Sequence, residues 1–208
     1  MKRFFLGIFS LLTVTVYSQE TKEPFDGHTW QAPYSLPLPK EWGVERFLLP
    51  PSFAPQIIYK GVEDIRFMPG WRNSKSNEYW SYAFIWWLDE KPATGKKSIE
   101  ADLETYYDGL LKENTDSTKT GNESPMPAMV KLRRSVTEQD ETFYSGTVEL
   151  RDFLSRQRIK LNCKVHIRSC KETGKQLLFF ELSPKPFDHD VWEGLDGLWI
   201  NFQCTKNH

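Results

Sequence analysis

The stretch RIKLNCKVHIR at residues 158–168 decides the fold. Apolar residues occupy every second position of it, and the positions between them are basic or polar. This period of two is typical of a β-strand that has one face on a core and the other toward solvent. We therefore expect a sheet with one apolar face, on which Cys163 lies.

Strand patterns lie on both sides of this stretch. The patterns at 128–138, 142–152, 157–169 and 176–183 follow one another with short polar turns between them, which predicts an antiparallel meander. Opposite charges on neighbouring strands stabilise a sheet, so we expect Lys131 to face Glu149 and Glu149 to face Lys160.

The rest of the chain predicts a further strand and two helices. Residues 79–88 (YWSYAFIWWL) are apolar on both faces, as in a central strand. Apolar residues at three- and four-residue spacing predict a helix from Ser98 to Lys112 and a closing helix at 188–202, with a strand from Gly197 as the rival for the latter. The sequence thus predicts an α+β fold, a two-layer sandwich in which two helices cover one face of an antiparallel meander sheet.

This order of elements resembles the PsbP-like layout: N-terminal strands, a helix, a meander and a C-terminal helix. The resemblance covers most of residues 19–208, which we interpret as a single α+β domain with a proline-rich part at 19–78. It implies an accessory or binding protein more readily than an enzyme.

The first eighteen residues have the pattern of a secretory signal peptide. Lys2 and Arg3 precede an apolar run at 4–16, and Gln19 would begin the mature chain. The run is shorter than the ~20 residues of a membrane-spanning helix, so we expect no transmembrane segment after cleavage. Without the leader, 27 basic residues fall to 25 against 28 acidic ones, a net charge of −3. We expect a secreted or periplasmic protein without a nucleic-acid partner.

Three cysteines in an oxidising compartment allow one disulfide and one thiol. Cys163 and Cys170 would lie roughly 20 Å apart on one extended strand, too far to pair. We favour a disulfide between Cys170 and Cys204. A Cys163–Cys204 pair and three unpaired thiols stay open.

Trp71 is the aromatic residue most suited to an exposed role. It follows the turn-forming Pro69-Gly70 and precedes the polar run 72–78, whereas Trp80, Trp86 and Trp87 fit a core strand. Planar aromatic side chains stack against sugar rings. The candidate ligand-binding residues are Trp71, Arg72, Tyr79 and Arg66. A core position for Trp71 is the alternative.

The polar face of the 158–168 strand carries a second candidate site. Arg158, Lys160, Lys164 and Arg168 alternate along it and would attract an anionic glycan, a lipid headgroup or an acidic partner. An ordinary solvated strand face, partly neutralised by Glu149, is the alternative.

We find no catalytic constellation, metal site or cofactor motif. Glu63 and Asp64 are adjacent on a strand, so they point to opposite faces and cannot flank one glycosidic bond. The stretch Asp188-His189-Asp190 suits a helix start better than a metal site.

These observations favour a non-enzymatic binding or accessory domain with a glycan or an envelope protein as partner. A small extracellular hydrolase acting on a glycan and a structural subunit of an envelope assembly are the alternatives. Nothing in the sequence indicates an oligomeric state.

Overall fold

A computed structural model describes residues 24–92, 94–115, 126–135 and 142–205. The strands in these ranges are β1 Tyr34–Ser35, β2 Gly43–Leu49, β3 Gly61–Phe67, β4 Tyr82–Leu88, β5 Met129–Ser135, β6 Thr142–Arg151, β7 Arg158–Cys170, β8 Lys175–Ser183 and β9 Gln203–Cys204, and the helices are α1 Lys96–Asn114 and α2 Val191–Ile200. The predicted signal peptide at 1–18 lies outside the described residues.

Seven strands form one antiparallel sheet in the order β2-β3-β4-β8-β7-β6-β5, and β1 pairs with β9 separately. The α+β class and the meander from β5 to β8 are therefore confirmed. The segment 188–202 contains the helix α2 rather than a strand from Gly197. Helix α1 begins two residues before Ser98, whose hydroxyl accepts a hydrogen bond from the Gly95 backbone N–H at 2.9 Å.

Of the two strand registers, one is confirmed and the other is wrong. Glu149 faces Lys160, with 3.9 Å between carboxylate oxygen and Nζ. Lys131 faces Thr147 instead of Glu149, a shift of two residues. A two-residue shift leaves every side chain on the same face, so the alternation of apolar residues cannot distinguish the two registers.

The helices lie on opposite faces of the sheet, so the arrangement with both helices on one face is not confirmed. On one side, which we call the α1 face, alternate residues of β4 pack with α1. On the other, the α2 face, the intervening residues pack with α2 and with β1. The α1 face buries Tyr82, Phe84, Trp86, Leu103, Tyr106 and Tyr107, and the α2 face buries Ala83, Ile85, Trp87, Trp192, Leu195 and Trp199.

This arrangement follows from the composition of the central strands. All residues of β4 are buried, and so are those of β8 from Leu177 onward. A strand that is apolar on both faces needs a covering layer on each side. One helix on each face provides these layers, whereas two helices on one face would leave the apolar side chains of the other face exposed.

Helix α1 also closes the β5 edge of the sheet. Carboxylates spaced four residues apart on the helix accept hydrogen bonds from backbone N–H groups spaced two residues apart on the strand. The pairs are Asp108 with Ala128 at 2.7 Å, Glu104 with Val130 at 3.0 Å and Glu100 with Leu132 at 2.7 Å. The periods match, because four helical residues rise about 6 Å and two strand residues about 6.7 Å. We call this set the carboxylate ladder; it satisfies donors that a sheet edge otherwise leaves open.

The disulfide joins Cys170 to Cys204, with their Cα atoms 5.6 Å apart, and Cys163 is a buried free thiol. The favoured pairing is therefore confirmed. Because β9 pairs with β1, the disulfide also fixes the proline-rich N-terminal segment near the end of β7. Neither helix is long and apolar enough to span a membrane in the part of the chain that the structure describes.

Candidate functional site

Trp71 is half-buried rather than freely exposed. Its indole stacks on Phe67 with ring centroids 4.4 Å apart, and the Arg72 guanidinium lies 5.3 Å from the indole centroid. Phe67 packs against the ring and Arg72 also lies over it, so Trp71 has less open ring surface than a freely exposed tryptophan.

Of the four residues proposed around Trp71, Arg66 lies apart from the others. Tyr79 donates a hydrogen bond to Asp152, and burial raises the pKa of its phenol. Arg66 is buried on the α2 face, whereas Trp71 packs against the core of the α1 face. Arg66 and Phe67 are neighbours on β3, so their side chains necessarily point to opposite faces.

Arg66 belongs instead to a buried ionic cluster around Asp64. Both Arg46 and Arg66 donate to the Asp64 carboxylate, Arg46 at 3.0 Å, and Tyr34 donates to it at 3.0 Å. A buried carboxylate is tolerated when cations and donors surround it in this way. This cluster holds β2, β3 and β1 together, which is a structural role.

Glu63 points to the α1 face, as its adjacency to Asp64 predicts. The Tyr106 hydroxyl donates to it at 2.7 Å and the Trp86 indole N–H at 3.1 Å. Burial raises the pKa of Glu63 to about 8, although both hydrogen bonds oppose the shift. Its side chain is fully buried, so a substrate has no access to it.

A second buried carboxylate, Glu181, lies on the α2 face. His166 Nε2 is 3.7 Å and Lys164 Nζ is 3.9 Å from one of its oxygens. Burial raises the pKa of Glu181, and these two groups oppose the shift. Lys164 also pairs with Asp196 of α2, so the cluster fixes the helix to the sheet.

Helix α2 divides the basic strand face that the sequence suggested. The Lys164 ammonium lies 4.7 Å from the Trp192 ring centroid, and the Arg168 guanidinium lies 4.0 Å from that of Trp199. Arg158 and Lys160 are exposed beyond the helix. The four candidate anion-binding residues are therefore two pairs in different environments.

The exposed basic surface of Arg158 and Lys160 continues onto β5, where the sequence did not predict a site. Lys131 and Arg133 are exposed on the same side of the sheet, and Thr147 and Ser145 of β6 face them. We call this surface the basic half-face and define it as Lys131, Arg133, Ser145, Thr147, Arg158 and Lys160. In the described part of these strands, Glu149 is the one acid on this side. The alternation of Lys131 and Arg133 with Val130 and Leu132 was the available signal.

Phe187 lies at the border between the basic half-face and α2. Its side chain is 43% exposed, with its ring 4.8 Å from Trp192 and 5.6 Å from the Lys164 ammonium. Asn162 of β7 donates to the Lys185 carbonyl at 2.8 Å, which places this loop directly beside the sheet. The sequence pattern gave no reason to single out Phe187.

The stretch Asp188-His189-Asp190 directly precedes α2. His189 Nδ1 accepts a hydrogen bond from the Val191 backbone N–H at 3.1 Å, and Asp190 occupies the N-cap position. Over the described ranges, no three His, Cys, Asp or Glu side chains are grouped to hold a metal ion.

The chain matches no protein-family model, no curated protein and no solved structure in the comparisons made. The likeness to the PsbP-like layout therefore stays an interpretation of element order.

Proposed function

We propose that this chain is a secreted or periplasmic binding domain that holds an anionic polymer on its basic half-face. The observation that supports this most is the uneven cover of the α2 face. Helix α2 packs over the central strands, whereas Lys131, Arg133, Arg158 and Lys160 stay exposed at the β5 side.

The distribution of charge suits a long ligand. Neighbouring strands lie about 4.8 Å apart, so the cations of β5 and β7 are separated by roughly 10 Å across the sheet. Each exposed contact is weak and screened by salt, at about 0.2–1 kcal/mol, so useful affinity requires several contacts to one molecule. A polymer with repeated negative charges satisfies this requirement better than a single small anion.

A hydrolase is the second candidate, because a carboxyl with a pKa near neutrality is what a general acid needs. Glu63 has such a pKa, raised to about 8. It is nevertheless enclosed by Tyr106 and Trp86 on the α1 face, and Asp64 points to the other face. Binding is the better supported function, since the basic half-face is accessible and Glu63 is not.

Charge reversal on β5 tests the proposal. We would measure binding of the mature protein to alginate, a polyuronate, and to inorganic polyphosphate at low and physiological salt, with dextran as the neutral polymer. Lys131→Glu with Arg133→Glu should weaken polyanion binding about tenfold or more, because two favourable contacts become repulsive. Rising salt should weaken the wild-type interaction as well.

The matched control, Lys60→Glu with Lys97→Glu, reverses the charge of two exposed lysines elsewhere. It changes the net charge by the same amount as the β5 double variant. It should leave binding nearly unchanged. Equal losses in the two double variants would mean that net charge alone drives binding. An unmodified protein that binds neither polyanion would refute the proposal.

A further inference from the structure

We infer that the polymer bound on the basic half-face is an acidic polysaccharide, with Phe187 as the ring on which a sugar stacks. This inference rests on the proposed function and specifies its ligand. Exposure of Phe187 alone does not indicate a ligand site, because isolated exposed aromatic residues are common on protein surfaces. The inference therefore depends on where the Phe187 ring lies.

Phe187 is fixed where a ligand crossing the basic half-face would meet it. The carbonyl of Lys185, two residues earlier, accepts hydrogen bonds from Asn162 at 2.8 Å and from the Trp192 indole N–H at 3.0 Å. Sheet and helix therefore both hold the base of this loop. Trp192 supports the Phe187 ring from behind at 4.8 Å, so little conformational freedom is lost when a ligand binds.

The hydroxyl groups of the basic half-face lie on β6, between the basic residues of β5 and the polar residues of β7. Thr147 is flanked by Lys131 and Asn162, and Ser145 by Arg133 and Lys164. Lys164 in turn lies 5.6 Å from the Phe187 ring centroid. The Phe187 ring, in the loop beside β7, is therefore followed across the surface by the Lys164 cation of β7, the Ser145 hydroxyl of β6 and the Arg133 cation of β5.

A sugar acid has a chemical group for each of these. Its C–H face packs on an aromatic ring, its hydroxyls exchange hydrogen bonds with Ser and Thr, and its carboxylate pairs with Lys or Arg. A phosphate polymer has the negative charge but no apolar face. Phe187 should accordingly contribute to binding of the first ligand and not of the second.

The test uses alginate and polyphosphate with the mature protein and Phe187→Ala. The variant should bind alginate about fivefold more weakly, on the scale of one aromatic contact, and should bind polyphosphate within about twofold of the wild type. Phe187→Trp should retain alginate binding. Ile58→Ala is the matched control, since Ile58 is 82% exposed and next to Tyr59, which packs in the core of the α1 face.

The results separate this inference from the proposed function. If Phe187→Ala changes neither interaction, or weakens both equally while Lys131→Glu with Arg133→Glu still weakens both, the polysaccharide assignment is wrong and anion binding stands. A wild-type preference for polyphosphate over alginate would also overturn the assignment. If the charge reversals have no effect, the proposed function itself fails. Near-UV circular dichroism checks that each variant keeps its tertiary structure.

Discussion

The two faces of the sheet are stabilised in different ways. The α1 face is an apolar layer that α1 extends to the β5 edge, and its buried carboxyl, Glu63, has neutral hydrogen-bond donors. The α2 face is joined by ionic clusters around Asp64 and Glu181 and by a disulfide, and its β5 side is open. The proposed ligand surface lies on the α2 face, which its helix covers only in part.

The largest effect is expected when the ionic cluster of the α2 face is broken. Asp64→Asn leaves the buried Arg66 and the partly buried Arg46 without their carboxylate, which should lower the free energy of unfolding by about 3–5 kcal/mol. Urea unfolding of the two proteins measures the difference.

Asp89→Asn is the matched control, because its partner Lys175 forms an exposed ion pair at 3.2 Å. It should cost about 1 kcal/mol or less. Tyr34→Phe removes a single donor to Asp64 and should cost about 1 kcal/mol, which stays measurable if Asp64→Asn does not fold. Equal costs for the two Asp variants would contradict the ionic account of this face.

The disulfide should have the next largest effect, and again on the α2 face. It closes a loop with a sequence separation of 34 residues. Cys204→Ser should therefore reduce the free energy of unfolding by about 3–4 kcal/mol through the greater freedom of the unfolded chain. Cys163→Ser, measured with and without a thiol reductant, separates the disulfide from the free thiol. If the reductant left the stability of Cys163→Ser unchanged, the disulfide would not contribute to this face.

The sequence indicates the disulfide better than it indicates the ionic cluster around Asp64. The strand pattern of β7 argued against a Cys163–Cys170 pair, which favoured Cys170–Cys204 but left a Cys163–Cys204 pair and three free thiols open. The cluster around Asp64 was not predicted, because it joins residues from β1, β2 and β3 of a segment whose prolines obscure any period. Contacts between distant segments leave no local pattern that a single sequence displays.

The position of α2 shows the same limit. Its Trp192, Leu195 and Trp199 predict a helix with an apolar stripe but do not say which surface the stripe meets. The two-sided apolar character of β4 and β8 was the signal that both faces needed a cover. The strand pattern alone does not show that α2 packs on Lys164 and Arg168, so it does not separate these two from Arg158 and Lys160 or join Lys131 and Arg133 to the exposed pair.

On the α1 face, Glu63 should make stability depend on pH. Its pKa is raised from 4.5 to about 8 in the folded chain, so the folded state binds more protons than the unfolded state between these values. The contribution of Glu63 to stability should be greatest below pH ~4.5, fall by up to about 1.4 kcal/mol per pH unit and level off above pH ~8. Glu63→Gln keeps a neutral side chain of the same size and should flatten this dependence.

The measurement is urea unfolding of both proteins from pH 5 to pH 8.5, with the exposed Glu90→Gln as control. The wild type and Glu63→Gln should diverge as the pH rises, by about 2 kcal/mol over two units. Parallel profiles would mean that Glu63 is ionised in the folded state throughout. In that case the α1 face would hold a buried charge, as the α2 face does, and the contrast between them would disappear.

The smallest effect should come from the carboxylate ladder, which tests whether α1 closes the β5 edge. Glu104→Ala removes the acceptor for the Val130 backbone N–H and should cost about 1 kcal/mol, since an unpaired and partly buried donor replaces a hydrogen bond. Glu104→Gln keeps an oxygen acceptor and should cost less. Glu113→Ala, exposed near the end of the same helix, corrects for helix propensity.

Amide hydrogen exchange at Val130 gives the local measurement, and faster exchange in Glu104→Ala than in Glu113→Ala is expected. Identical exchange would mean that packing of α1, rather than its carboxylates, protects the edge, and that charge stabilises only the α2 face.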